Sequence, residues 1–260
     1  MIFFGVAKQT YRPIHLRSFS QILSASFLLF ILSACSGNEQ YPVYETFKLG
    51  FSNPNTQIDE APLNPNFRYL KVDANGIPAL LVLGYVDQKK QDRHDVWYSA
   101  FKEVLELKDG RLGNTEGLEV NWTQVRISDA PPLRDVLLIN TSSKKASRQK
   151  FRYSRTRTVM PGYHVNIRET VVMEALSEAP SDIPKVLKAS DTNTNLAWVQ
   201  ETVLVPPNTQ NPSVHPLRAI YAIDRQSNQV VFGKQYLSPN FYVSWLTWPY
   251  PQPVKPSKAP

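Results

Sequence analysis

Seven positive side chains and no acid fall within fourteen residues, at Lys144, Lys145, Arg148, Lys150, Arg152, Arg155 and Arg157. Charge of this kind can hold an acidic polymer, an anionic protein or lipid headgroups. Arg148, Lys150, Arg152, Arg155 and Arg157 are therefore the candidate binding residues. Side chains alternate between faces on a strand, so Arg148, Lys150 and Arg152 share one face while Phe151 and Tyr153 share the other. The plainer account is a solvated edge strand whose charge keeps it from pairing with another chain. Trp122, Trp198, Trp245 and Trp248 offer ring faces for stacking on sugars, against the more ordinary duty of filling a core.

Catalytic patterns are scarcer. A glycosidase pair could be drawn from Glu116, Glu169, Glu201 and Asp224, but acids at unknown separation are supplied by almost any chain. No Gly-x-Ser-x-Gly elbow occurs. After the first 34 residues the histidines are His94, His164 and His215, too far apart in sequence for a usual metal motif, and a single cysteine excludes an intrachain disulfide and a cysteine-based zinc site. No catalytic residue, metal or cofactor is expected.

That lone cysteine is Cys35, and its context is informative. A basic start ending at Arg17 leads into an apolar stretch from Ile22 to Leu32, which is a signal-peptide pattern. Eleven helical residues would cover roughly 16 Å, short of the ~30 Å hydrocarbon core, so a permanent span is the weaker reading. Leu32-Ser33-Ala34-Cys35 follows at once and resembles the lipobox of bacterial lipoproteins. The resemblance implies cleavage before Cys35 and acylation of its thiol and new amino group, a firm membrane anchor. By resemblance to enterobacterial-type lipoproteins, Ser36 and Gly37, with no Asp, imply sorting to the outer membrane, most simply on its periplasmic side. Residues 1–34 hold Lys8, Arg12 and Arg17 and no acid, so their removal takes the formal charge from +7 to +4. That balance, and the compartment, argue against nucleic acid as a partner.

The elements that must carry these residues read as strands. The chain is 42% apolar and 20% charged, with 21 prolines against 10 glycines, which disfavours a large helical bundle. Asp109-Gly110 between alternating segments is a type I′ hairpin signal that sets Lys108 against Arg111 and Leu107 against Leu112 on a core face. Ala79–Val86 reads as a strand buried on both faces. Phe151–Val159 and Tyr163–Ala175 form a second hairpin, and Ala219–Asp224 with Gln229–Tyr236 a third, in which Asn228 takes the left-handed position. Tyr44, Phe47 and Phe51 fit one or two helical turns. Leu80 and Leu105 echo Leu196 and Tyr221 at the same offset, as two similar β halves would. The expected organisation is a signal peptide over 1–34, an acylated tether over 35–43, β modules over 44–125 and 126–248, and a proline-rich tail over 249–260. The expected fold is all-β and mostly antiparallel, a barrel or sandwich with little helix.

Longer stretches resemble the YjbF/GfcB family, the group 4 capsule polysaccharide lipoproteins. They are Asn75–Tyr85, Val96–Ala100 and Asp109–Leu118, with Tyr221-Ala222-Ile223-Asp224 and Gln235–Pro239 near the C-terminus. Ala222, Asn228 and Gly233 depart from that family's Trp, Gly and Ser. The resemblance implies a role in making or exporting an extracellular or capsular polysaccharide, alongside other envelope proteins, and the part expected of this chain is noncatalytic assistance. An enzyme that modifies the polysaccharide and a docking protein for other envelope components are the alternatives, and the resemblance carries over no catalytic residue.

Overall fold

In the computed structural model the described residues are 58–89, 92–135, 150–188, 195–204 and 216–250, all within one compact unit. Cys35, Arg148, His215, the signal peptide, the tether, the Tyr44–Phe51 turns and the tail beyond Tyr250 lie outside them. Among the described residues, twelve antiparallel strands make one sheet. They are β1 (Tyr69–Ala74), β2 (Ile77–Lys89), β3 (Asp92–Tyr98), β4 (Val104–Lys108), β5 (Arg111–Glu116) and β6 (Asn121–Ser128), then β7 (Phe151–Met160), β8 (His164–Leu176), β9 (Leu196–Val203), β10 (Arg218–Asp224), β11 (Val230–Ser238) and β12 (Phe241–Trp248). Every strand pairs with its neighbour in sequence except at one place, and β12 closes back on β1. The exception is β5 and β6, the two ends of the sheet, which lie side by side and leave the barrel nearly closed.

Side chains stand in for backbone ladder at that seam. Thr115 Oγ1 accepts from the Trp122 N–H at 3.0 Å, and Asn114 Oδ1 accepts from the Val125 N–H at 3.2 Å. Both amides would otherwise face a strand edge without a partner.

The three hairpins form as their turn residues demand. Asp109 and Gly110 have φ of 47° and 81°, and Leu107 faces Leu112 in the core. Asn228 has φ 56°. β7 and β8 pair across Met160-Pro161-Gly162. The strand over Ala79–Val86 is buried on both faces only at Leu80–Val82, whereas Tyr85 and Val86, beyond the bulge between Leu83 and Tyr85, are exposed. The offset echo relates β2 to β9 and β4 to β10, yet β3 lies between the first two strands while β9 and β10 pair directly. The strands of the two halves therefore do not correspond one to one, and β6 runs across the 125/126 boundary.

Alternation along each strand builds two cores. The inner one fills the barrel with Trp97, Trp122, Tyr153, Met173, Tyr221 and Trp245, among others. The second lies outside the wall, where Leu196, Trp198, Ile220, Phe232 and Leu246 are covered by Ile183 and Leu187 of the β8–β9 connection. That connection contains a 3-10 turn, Lys185–Lys188. Ala222, where the family pattern expects Trp, pairs with both Trp198 and Phe232, and its small side chain leaves those rings to meet edge to face at 6.3 Å.

Candidate functional site

The basic run does not form one surface. β7 is an interior strand between β6 and β8, so the edge-strand account fails. Arg152 is exposed, and Lys150 is exposed and pairs with Glu174 at 3.2 Å. Arg155 and Arg157 are only 3% and 6% exposed and point into the barrel. Their inward direction is a correction to the five-residue binding face, and its cause is parity. Residues 151, 153, 155 and 157 share one face of β7, so once Tyr153 is core the two arginines must be as well.

Inside, the arginines find an anion and a ring. Glu169 Oε2 accepts from Arg155 Nε at 2.9 Å, and Glu169 Oε1 accepts from Arg157 Nη2 at 2.6 Å. Both guanidinium groups lie over Trp122, 4.6 and 4.4 Å from its ring centre. Burial alone would raise the Glu169 pKa, but hydrogen bonds and charge from Arg157 and Arg155 outweigh it and hold the carboxyl below its ordinary range. A second pair sits nearby, where Arg111 Nε donates to Glu201 Oε1 at 2.8 Å and Tyr221 donates to Glu201 Oε2 at 3.1 Å. Burial and the Glu201 charge push the Tyr221 hydroxyl well above its usual pKa. Two of the four acids considered for sugar cleavage are thus internal counter-ions. Asp224 instead accepts from Gln226 and Ser227 in the β10–β11 turn, and Glu116 is exposed at the end of β5. Among the described residues no three His, Cys, Asp or Glu side chains group as metal ligands. His94 Nδ1 lies 2.5 Å from Glu106, and His164 is exposed.

The surface with ligand-like chemistry lies elsewhere, on the outer wall of β11, β12 and β1. A groove of about 430 Å³ has a floor that includes Phe232, Lys234, Tyr242, Ser244, Leu246 and Trp248. Its sides are Asp59 and the 182–186 segment. The register places Asp73, Ser244 and Lys234 in one row across the three strands, and Lys71, Leu246 and Phe232 in the next. Aromatic rings seat the cations. Lys71 Nζ is 5.0 Å from the Trp248 ring centre, Lys234 Nζ is 4.4 Å from that of Tyr242, and Arg218 lies 5.2 Å from that of Tyr236.

Their counter-ions come from the covering segments, Asp59 to Lys71 and Asp182 to both Arg218 and Lys234, at 2.9 and 3.0 Å. Burial opposes ionisation of Asp182, yet the Lys234 hydrogen bond and the two positive charges keep its pKa low. The Tyr242 hydroxyl is pushed up to about 12 by burial and by its hydrogen bond to Asp73, so it remains a donor at neutral pH. Fixed cations, hydroxyls and carboxylates beside apolar ring surface can bind a polar, partly charged chain.

Sequence reasoning missed this groove because Lys71 and Lys234, and Arg218 beside them, are scattered singly along the chain. Of the four tryptophans considered for sugar stacking, Trp122, Trp198 and Trp245 are buried in the core, and the groove is bordered by the edge of Trp245 and by the half-buried Trp248.

The model of one protein family, group 4 capsule polysaccharide lipoprotein gfcB, YjbF, matches residues 53–247, well over half of the chain. The chain belongs to this family. The match takes in all twelve strands but for the last residue of β12. A solved structure, that of the hypothetical lipoprotein YmcC from Escherichia coli (K12), is 19% identical in sequence, with a TM-score of 0.46 over 77% of this chain and 90% of that one. No curated protein matched. Within the YjbF family pattern, Gly233 stands where Ser is expected, and the packing explains it: a Cβ there would lie 2.2 Å from the Trp245 ring.

Proposed function

We propose that this lipoprotein is acylated at Cys35, sits on the periplasmic side of the outer membrane, and assists the production or export of an extracellular or capsular polysaccharide without catalysing a step. Membership of the capsule lipoprotein family is the observation that carries this reading. The interior supports the noncatalytic part, since Glu169 and Glu201 are engaged by arginines and act as struts of the barrel. Lys150 and Arg152 remain at the surface as contacts for an anionic polymer or an envelope partner.

Deletion of the gene should reduce surface polysaccharide, and the parent chain should restore it. Glu116→Gln and Asp224→Asn chains, made at the parent level, should restore it as well. Failure of either to do so while folded would favour the enzyme, and unchanged polysaccharide in the deletion strain would remove the reading altogether.

A further inference from the structure

We propose that the groove on the outer wall binds a carboxylate-bearing saccharide chain, with Lys71 and Lys234 of its lining, and Arg218 flanking it on β10, taking its carboxylates in place of Asp59 and Asp182. The proposal rests on the polysaccharide role and names the site and the sugar class. The cations belong to the rigid wall, since each stands on a ladder-paired strand and lies over a ring. Their present anions stand on segments outside the sheet, Asp59 before β1 and Asp182 in the β8–β9 connection. A ligand carboxylate can therefore exchange for either without breaking a strand pair, keeping the charge-assisted hydrogen bonds.

The rest of the lining suits a sugar. Ser244, Tyr242 and Asp73 supply hydroxyl and carboxylate partners for sugar hydroxyls, and Leu246 and Phe232 supply an apolar floor. Lys185 adds an exposed ammonium at the lip. A volume of about 430 Å³ is in the range of small-ligand sites. The groove is concave and sided by two chain segments, which admits a polymer chain but not the flat plane of anionic headgroups.

The test is calorimetric titration of the purified mature lipoprotein in neutral detergent with polygalacturonate oligomers and with neutral dextran. Polygalacturonate should bind, dextran should not, and binding should weaken as salt shortens the Debye length to about 8 Å and below. Joint Lys71→Gln and Lys234→Gln substitution should weaken binding about tenfold or more, the worth of a charge-assisted hydrogen bond. Asp182→Asn, which frees Lys234 and Arg218 from their internal competitor, should tighten binding several-fold. A purely structural Asp182 gives no such gain. Arg168→Gln, at an exposed position of β8 away from the groove, should bind as the parent does.

The proposal is overturned if neither the parent nor the Asp182→Asn protein binds polygalacturonate, or if Asp182→Asn binds no more tightly than the parent. It is also overturned if the groove lysines instead govern capture by phosphatidylglycerol vesicles. Polysaccharide lost on gene deletion, together with no polygalacturonate binding, removes the groove assignment and keeps the broader role. Binding without any deletion effect supports the groove and removes the role.

Discussion

Glu169 is the sole carboxylate that Arg155 and Arg157 pair with among the described residues, and both arginines are cut off from water inside the wall. Replacing it by glutamine should cost about 3–5 kcal/mol, because two desolvated guanidinium groups lose their counter-ion and keep only the Trp122 ring and, for Arg155, a 3.5 Å hydrogen bond to Gln235 Oε1. Urea unfolding measures this. The same residue sets a pH dependence. Its folded pKa lies below the ordinary value of 4.5, so its stabilisation is complete above that value and is lost as pH falls through the lower folded one. The acid limb of a stability profile should be steep in the parent and shallower in the Glu169→Gln protein. Gly233→Ala should also destabilise, by about 1–3 kcal/mol, since the Trp245 ring must shift to admit a methyl group.

Among the elements, the β4–β5 hairpin depends on two residues at positive φ. Gly110→Val should cost on the order of 1–3 kcal/mol through backbone strain. Crowding adds to it, as a Cβ at Gly110 would approach Val230 Cγ2 to 2.5 Å. A Tm equal to that of the parent would contradict the observed turn. β7 gives a contrast within one strand. Arg152→Glu faces solvent and should change stability by no more than about 0.5 kcal/mol. Arg155→Glu sets a second buried carboxylate beside Glu169, and thermal unfolding should show severe loss of the native state.

Over the whole molecule, closure of the barrel relies on side chains at the β5–β6 seam. Joint Asn114→Ala and Thr115→Val substitution should leave the Val125 and Trp122 amides without acceptors and speed their hydrogen exchange, with the far wall of β10–β12 unaffected. At the other end of the design, Cys35→Ser should abolish palmitate incorporation and leave the precursor uncut. Label retained after this change would place the anchor elsewhere.

Local features were legible in the amino-acid sequence: strands over helices, three hairpins, a core face carrying Leu107 and Leu112, and the family motif. Each rests on neighbouring residues, whether a turn that needs positive φ or an alternation with period two. The tertiary structure decided which face of β7 is inward, because alternation places Arg152 and Arg155 on opposite faces without saying which one meets the core. It also decided the groove. Lys71 and Lys234 are 163 positions apart in the chain, and only the closure of β12 onto β1 brings them to one wall. Contacts of that kind depend on strand order, which local propensity does not encode.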